Sequence, residues 1–188
     1  MTNQEIFLEL CSKHIHRAGF EELLNWLEDS DFFTAPASTR YHGNYAGGLC
    51  THSLNVYDTL CFLSAKYAPE LSEESLAIVG LLHDVCKINT YELGMRRVKE
   101  NNVWKEKEVW VWNEKFPFGH GEKSCILLQR FIKLTTEELL AIRWHMGGYD
   151  YSVQGGEHGN EKAAGLSPLV SLLQAADSLA SSLLEEIR

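Results

Sequence analysis

Four stretches of this chain carry apolar stripes at helical spacing, and each stripe holds an ionisable side chain on its apolar face. In a helix over about 49–67, Leu49, Val56, Leu60 and Leu63 share a face. His52 falls on it, three residues after Leu49 and four before Val56. His83 follows Val79 by four and Leu76 by seven. His145 follows Ile142 by three, and Asp177 follows Leu173 by four and Val170 by seven. One such residue alone reads as a hydrogen-bonded core side chain, and Asp177 alone as a buried partner for an Arg or Lys. Burying several together is costly unless they are paired or bind a cation. The adjacent His83-Asp84 pair strengthens the second reading, because neighbouring helical residues project about 100° apart and near a helix end both can reach one ion. With His120, six nitrogen and oxygen donors from five segments offer what divalent transition metals take.

Between these stripes the chain reads as helices with one insertion. Thr2 and Glu5 form a capping box for a first helix containing Ile6, Leu10 and Ile15. Gly19 breaks it before a short helix with Leu23, Leu24 and Leu27. The stretch from Ser30 to Gly48 reads as a loop, and Ser72 caps the helix that carries Leu76, Val79 and Leu82. From Tyr91 to Trp112 (about residues 91–113 with its flank), β-branched, aromatic and charged residues alternate around Asn101-Asn102, the pattern of a β-hairpin. Helices resume over 121–133 and 136–146, the latter with a Thr135/Glu138 capping box. A glycine-rich loop over 147–165 precedes Ser167-Pro168, which opens a final helix running to the C-terminus. The fold class expected is all-α, a helical bundle with a small hairpin insertion, as a single domain over 1–188.

Composition narrows the partners. A net charge of −9 over 188 residues argues against broad nucleic-acid binding, which needs a basic surface. It is compatible with a small phosphorylated substrate. Five cysteines without a CxxC pair read as buried reduced thiols, with Cys50 and Cys86 the two that lie near proposed ligands. The N-terminal segment lacks a basic leader followed by an apolar run, and no stretch approaches the roughly 18 apolar residues of a membrane span. A cytoplasmic protein without a membrane partner is expected. Its oligomeric state is left open.

The ordered set resembles the HD superfamily of metal-dependent phosphohydrolases. It comprises His52 in GGLCTHSLNV, His83-Asp84 in LLHDVCK, His120 in FGHGEKS, His145 in RWHMGG and Asp177 in LLQAADSLA. The resemblance covers roughly residues 40 to 180. The YHGNYAGGLCTHS segment is also similar to the HD domain of bacterial 3′→5′ exoribonucleases, whose nucleic-acid-binding domain has no room in this chain.

The resemblance implies an HD-domain bundle and hydrolysis of a nucleotide or other small phosphate ester by a metal-bound hydroxide. His52, His83, Asp84 and Asp177 would hold a first divalent metal (Fe, Mn, Ni, Zn, Co or Mg). Asp84 would bridge to a second ion held by His120 and His145. If one ion binds, those two histidines would contact substrate instead. The HD-GYP pattern is not met, since His145 is followed by Met146. Lys87, four residues beyond His83, is expected to act with Asp84 in catalysis by binding a phosphate oxygen. Arg40 and His42 are further substrate candidates. Arg96, Arg97, Trp104 and Tyr149 can be read as a lid or as ordinary surface. The same donor order fits HD-type di-iron oxygenases, and a non-catalytic metal- or nucleotide-binding module remains a third reading.

Overall fold

The computed structural model of the chain describes residues 1–185. Helix α1 (Asn3–His14) begins as its sequence predicts. The Thr2 hydroxyl accepts from the Glu5 amide at 3.2 Å, and the Glu5 carboxylate accepts from the Thr2 amide at 2.6 Å. Helix α2 (Phe20–Asp29) follows Gly19, whose φ of 84° favours glycine and whose Cα lies against the Phe131 carbonyl. A loop leads to α3 (Gly48–Tyr67), then α4 (Glu73–Leu82) and a 3₁₀ turn over Val85–Lys87. Strands β1 (Tyr91–Glu100) and β2 (Val103–Trp112) form the insertion. Helices α5 (His120–Leu128) and α6 (Thr136–Trp144) come next, then α7 (Tyr151–Gln154), α8 (Gly159–Leu166) and α9 (Pro168–Leu179), with a π turn over Ala180–Leu184.

The centre of the bundle is α4, whose residues from Leu76 to Leu82 are all buried. A helix apolar on every side belongs inside a core. Helix α3 packs on α4 and α9, α6 on α9 and α5. Each fully buried Leu or Ile at these crossings, such as Leu49, Leu60, Ile78, Leu82 and Leu173, contributes about 1.5–3 kcal/mol. Close approach of α5 to α6 depends on Gly121, where any Cβ would collide with the Arg143 carbonyl. No helix among the described residues is long and apolar enough to cross a membrane.

The hairpin forms where the alternation placed it. Asn101 and Asn102 have φ of 49° and 64°, the left-handed pair of a two-residue hairpin turn. Tyr91 pairs with Trp112 at the base and Glu100 with Val103 at the tip. The base is anchored: the Tyr91 hydroxyl donates to the Ala37 carbonyl at 3.1 Å, and its ring meets Trp112 edge-on. Leu93, Met95, Trp104 and Trp112 are exposed on one face of the sheet.

Three boundaries and one cap differ from expectation. Helix α5 ends at Leu128, five residues early, because the chain turns to stack Phe131 on Trp26 and set its carbonyl against Gly19. The 147–165 stretch is not one loop: the Asp150 carboxylate accepts from the Ser152 amide at 2.8 Å and caps α7, and α8 follows. The last helix does not run on. The Ser181 hydroxyl donates to the Asp177 carbonyl at 2.8 Å, competing with the backbone amide for it, and the helix opens into the π turn. Leu184 therefore leaves the buried stripe and is exposed. Ser72 stands at the N-cap of α4, but its side chain makes no capping bond.

Candidate metal centre

Two of the site's histidines are placed by the same local device. His83 and His145 stand immediately after α4 and α6, where the last carbonyls of a helix have no amide partner. His83 Nδ1 lies 3.0 Å from the Gly80 carbonyl, and His145 Nδ1 lies 2.6 Å from the Ile142 carbonyl. Carbonyl oxygens only accept, so each Nδ1 carries the proton and each Nε2 keeps its lone pair. His52, in the second turn of α3, has Nδ1 at 2.9 Å from Glu185 Oε1, and so also presents Nε2 to the interior. His52, His83 and His145 are buried.

Those nitrogens converge on two carboxylates. His52 Nε2 is 3.3 Å from His83 Nε2, 3.2 Å from Asp177 Oδ1 and 3.5 Å from Asp84 Oδ2. His83 Nε2 is 3.6 Å from Asp84 Oδ2. On the other side, Asp84 Oδ1 is 2.9 Å from His120 Nε2 and 3.5 Å from His145 Nε2, which is buried with no hydrogen-bond partner among the described residues. Three imidazole lone pairs facing two carboxylates make an acceptor-rich cavity that protons or a cation must neutralise. The donor set therefore fits a divalent cation, and the combinations His52–His83–Asp84 and His83–His145–Asp177 are each compact enough to hold one. Asp84 and His120 form a third combination with Cys86. The Asp177 and His120 side chains are 17% and 24% exposed, so the cluster opens to solvent on their side.

The electrostatics follow from this crowding. Burial alone would raise both aspartates, but Lys87 and His83 beside Asp84, and His52 beside Asp177, hold both carboxyls below their usual range. Burial pushes His83 down to about 4. For His52 burial is outweighed by the Asp177 and Glu185 carboxylates, which lift it to about 9. Burial drives His42 down to about 4, with His52 and Lys87 adding to the effect.

All six expected ligands thus meet at one place, and His42 joins them: its ring lies 4.9 Å from that of His52. Arg40 is exposed and does not join the cluster, because the 38–42 turn directs it to solvent. Lys87 does not share a helical face with His83. The helix ends at Leu82, and the 3₁₀ turn instead swings the Lys87 ammonium to 2.6 Å from Asp84 Oδ2, in a buried ion pair. Sequence reasoning missed Glu185 and Asn55, whose amide donates to Glu185 Oε1 at 3.2 Å. Asn55 lies three residues after His52 on α3, a usable hint. Glu185 gave none, since it meets His52 across 133 residues. Arg96, Arg97, Trp104 and Tyr149, read as a lid or as ordinary surface, are all exposed.

Comparison with known proteins gives one match. No curated protein and no solved structure matches the chain. The HD domain, whose superfamily consists mostly of metal-dependent hydrolases, matches residues 49–182. That span encloses all six converging side chains and Lys87, while Arg40, His42 and Glu185 lie outside it. With well over half its length matched and its histidines and aspartates gathered at one buried centre, the chain belongs to the HD domain family.

Proposed function

We propose that the chain is a metal-dependent phosphohydrolase acting on a nucleotide or other small phosphate ester. The observation that carries this reading is the convergence of three Nε2 lone pairs on the Asp84 and Asp177 carboxylates. His52, His83, Asp84 and Asp177 would hold one cation. Asp84 Oδ1, His120 and His145 would hold a second. Bound there, divalent cations supply an acidified water as nucleophile and neutralise charge developing on the phosphoryl oxygens.

The chain's own groups do the rest. Asp84 turns one oxygen to His52 and the other to His120, so its carboxylate would be shared between the two positions. Lys87 pairs with Asp84 across 2.6 Å, and its ammonium could serve a phosphoryl oxygen as a point charge. His120 and Asp177 border the open side, where a substrate enters, and His120 can hold a proton for the leaving oxygen when only one cation is bound. His42, behind the buried His52, is better suited to supporting that ring than to meeting substrate, and Arg40 stays at the exposed surface outside the cluster. The exoribonuclease likeness finds no support in the comparisons, which match the HD domain alone, and the net charge of −9 disfavours a long polyanion.

The test is a metal-supplemented phosphatase and phosphodiesterase screen with the His83→Ala/Asp84→Ala double variant as control. Turnover of a phosphate ester is expected from the wild type and not from the variant; activity that survives in the double variant sinks the mechanism. Turnover under anaerobic conditions would exclude an oxygenase reaction for that substrate.

A further inference from the structure

One buried carboxylate touches the cluster from beyond the matched HD segment. Glu185 follows the π turn, and its side chain is 2% exposed. Oε1 takes two bonds, from His52 Nδ1 at 2.9 Å and from Asn55 Nδ2 at 3.2 Å. Oε2 is buried without a hydrogen-bond partner among the described residues and lies against Gly43, where a Cβ would sit 3.6 Å from it. The His42 ring covers His52 on the same side, and His42, His52 and Glu185 offer donor atoms close to one another.

The reason such a carboxylate is needed lies in where His52 sits. His83 and His145 follow helix C-termini and find a free carbonyl three residues back. His52 lies near the start of α3, where the carbonyls behind it are already spent on the amides of the next turn. Its outer nitrogen therefore has no backbone acceptor of that kind. An acceptor has to come from elsewhere in the chain, and Glu185 supplies it.

We propose that Glu185 is a positioning residue of the metal centre, holding His52 as the Nδ1–H tautomer with Nε2 aimed at Asp84, Asp177 and His83. A carboxylate in this place orients the imidazole and strengthens Nε2 as a donor more than a carbonyl does. Asn55 fixes the carboxylate, and the π turn that breaks α9 delivers it. The inference rests on the metal-centre reading above and adds to it a residue that lies outside the matched HD segment.

The test uses the full chain and Zn²⁺ as probe, with affinity measured by competition against a chromogenic chelator. Glu185→Gln keeps the size and an acceptor oxygen but loses the charge, and Glu185→Ala removes both. Outer-shell partners of this kind are worth about 10–100-fold in metal affinity. Glu185→Ala is expected to weaken Zn²⁺ binding within that range and Glu185→Gln less. Both variants should remain folded without metal, Glu185→Gln melting somewhat below the wild type because His52 loses a charged partner. A long-range ¹H–¹⁵N spectrum of the Zn²⁺-loaded wild type should show the His52 proton on Nδ1. Wild-type affinity in both variants, or a proton on His52 Nε2, overturns the proposal while leaving the metal centre intact. A wild-type chain that takes up no Zn²⁺ overturns the metal-centre reading, and this proposal with it.

Discussion

Asp84 Oδ1 lies 2.9 Å from His120 Nε2, while the other oxygen of the same carboxylate turns to His52, His83 and Lys87. The proposed pair of cation positions sharing Asp84 predicts a change in stoichiometry. Elemental analysis of Mn²⁺-loaded wild type should give two equivalents per chain and of His120→Ala one. Wild-type content in His120→Ala would remove the second position from the proposal.

The Lys87–Asp84 pair makes a separate prediction for the metal-free chain. Both groups are buried and 2.6 Å apart, so removing one strands the other. Breaking a buried pair from one side costs about 3–5 kcal/mol. Asp84→Asn should therefore destabilise the metal-free protein to about that extent in urea. Adding Lys87→Met should restore most of the loss, since a methionine fills similar volume without a charge. If the double variant is as unstable as the two losses added together, Lys87 is not held by Asp84.

Much of this site could be read from residue order because it is written in local periodicity. His52, His83, His145 and Asp177 were legible because each interrupts an apolar stripe, and burying a polar group there has a cost that demands a partner. The hairpin turn was legible because Asn101-Asn102 can take left-handed backbone. The features that escaped are those set by contacts between distant parts of the chain or by single side chains acting on backbone. Glu185 reaches His52 past the π turn in which Ser181 bonds the Asp177 carbonyl, and neither contact has a periodic signature. Lys87 was assigned to a helical face that ends before it. Arg40 was grouped with His42 by proximity in sequence, yet the turn that brings His42 inward sends Arg40 out.

The hairpin's self-contained pairing predicts that it can be shortened without harm to the bundle. Deleting Met95–Glu100 and Val103–Glu108 would leave Asn101-Asn102 as the turn between Gly94 and Val109, which already pair. The helices lose no core contact, so the unfolding free energy should change by less than about 1 kcal/mol. Metal content should be unchanged. A large loss of stability would mean that the arm packs on the helices in solution.

Glu138 should govern part of the acid limb of stability. It is fully buried at the start of α6, where both Arg17 guanidinium nitrogens donate to it at 2.6 Å. The Ser75 hydroxyl donates at 2.7 Å and the Thr135 amide at 2.8 Å. Burial alone would raise its pKa, but the Arg17 bonds outweigh burial and hold the carboxyl below its usual range. Its folded pKa therefore lies under the unfolded value of about 4.3. The stabilisation is fully present above that value and is lost as pH falls through the folded pKa. Glu138→Gln keeps the shape but removes the charge that Arg17 needs, and should cost about 1–3 kcal/mol at pH 7. Urea unfolding at a series of pH values should show the gap between wild type and Glu138→Gln narrowing once pH drops below about 4.3. A gap that stays constant or widens into acid would mean that Glu138 is not the carboxylate whose protonation loosens this junction of α1, α4 and α6.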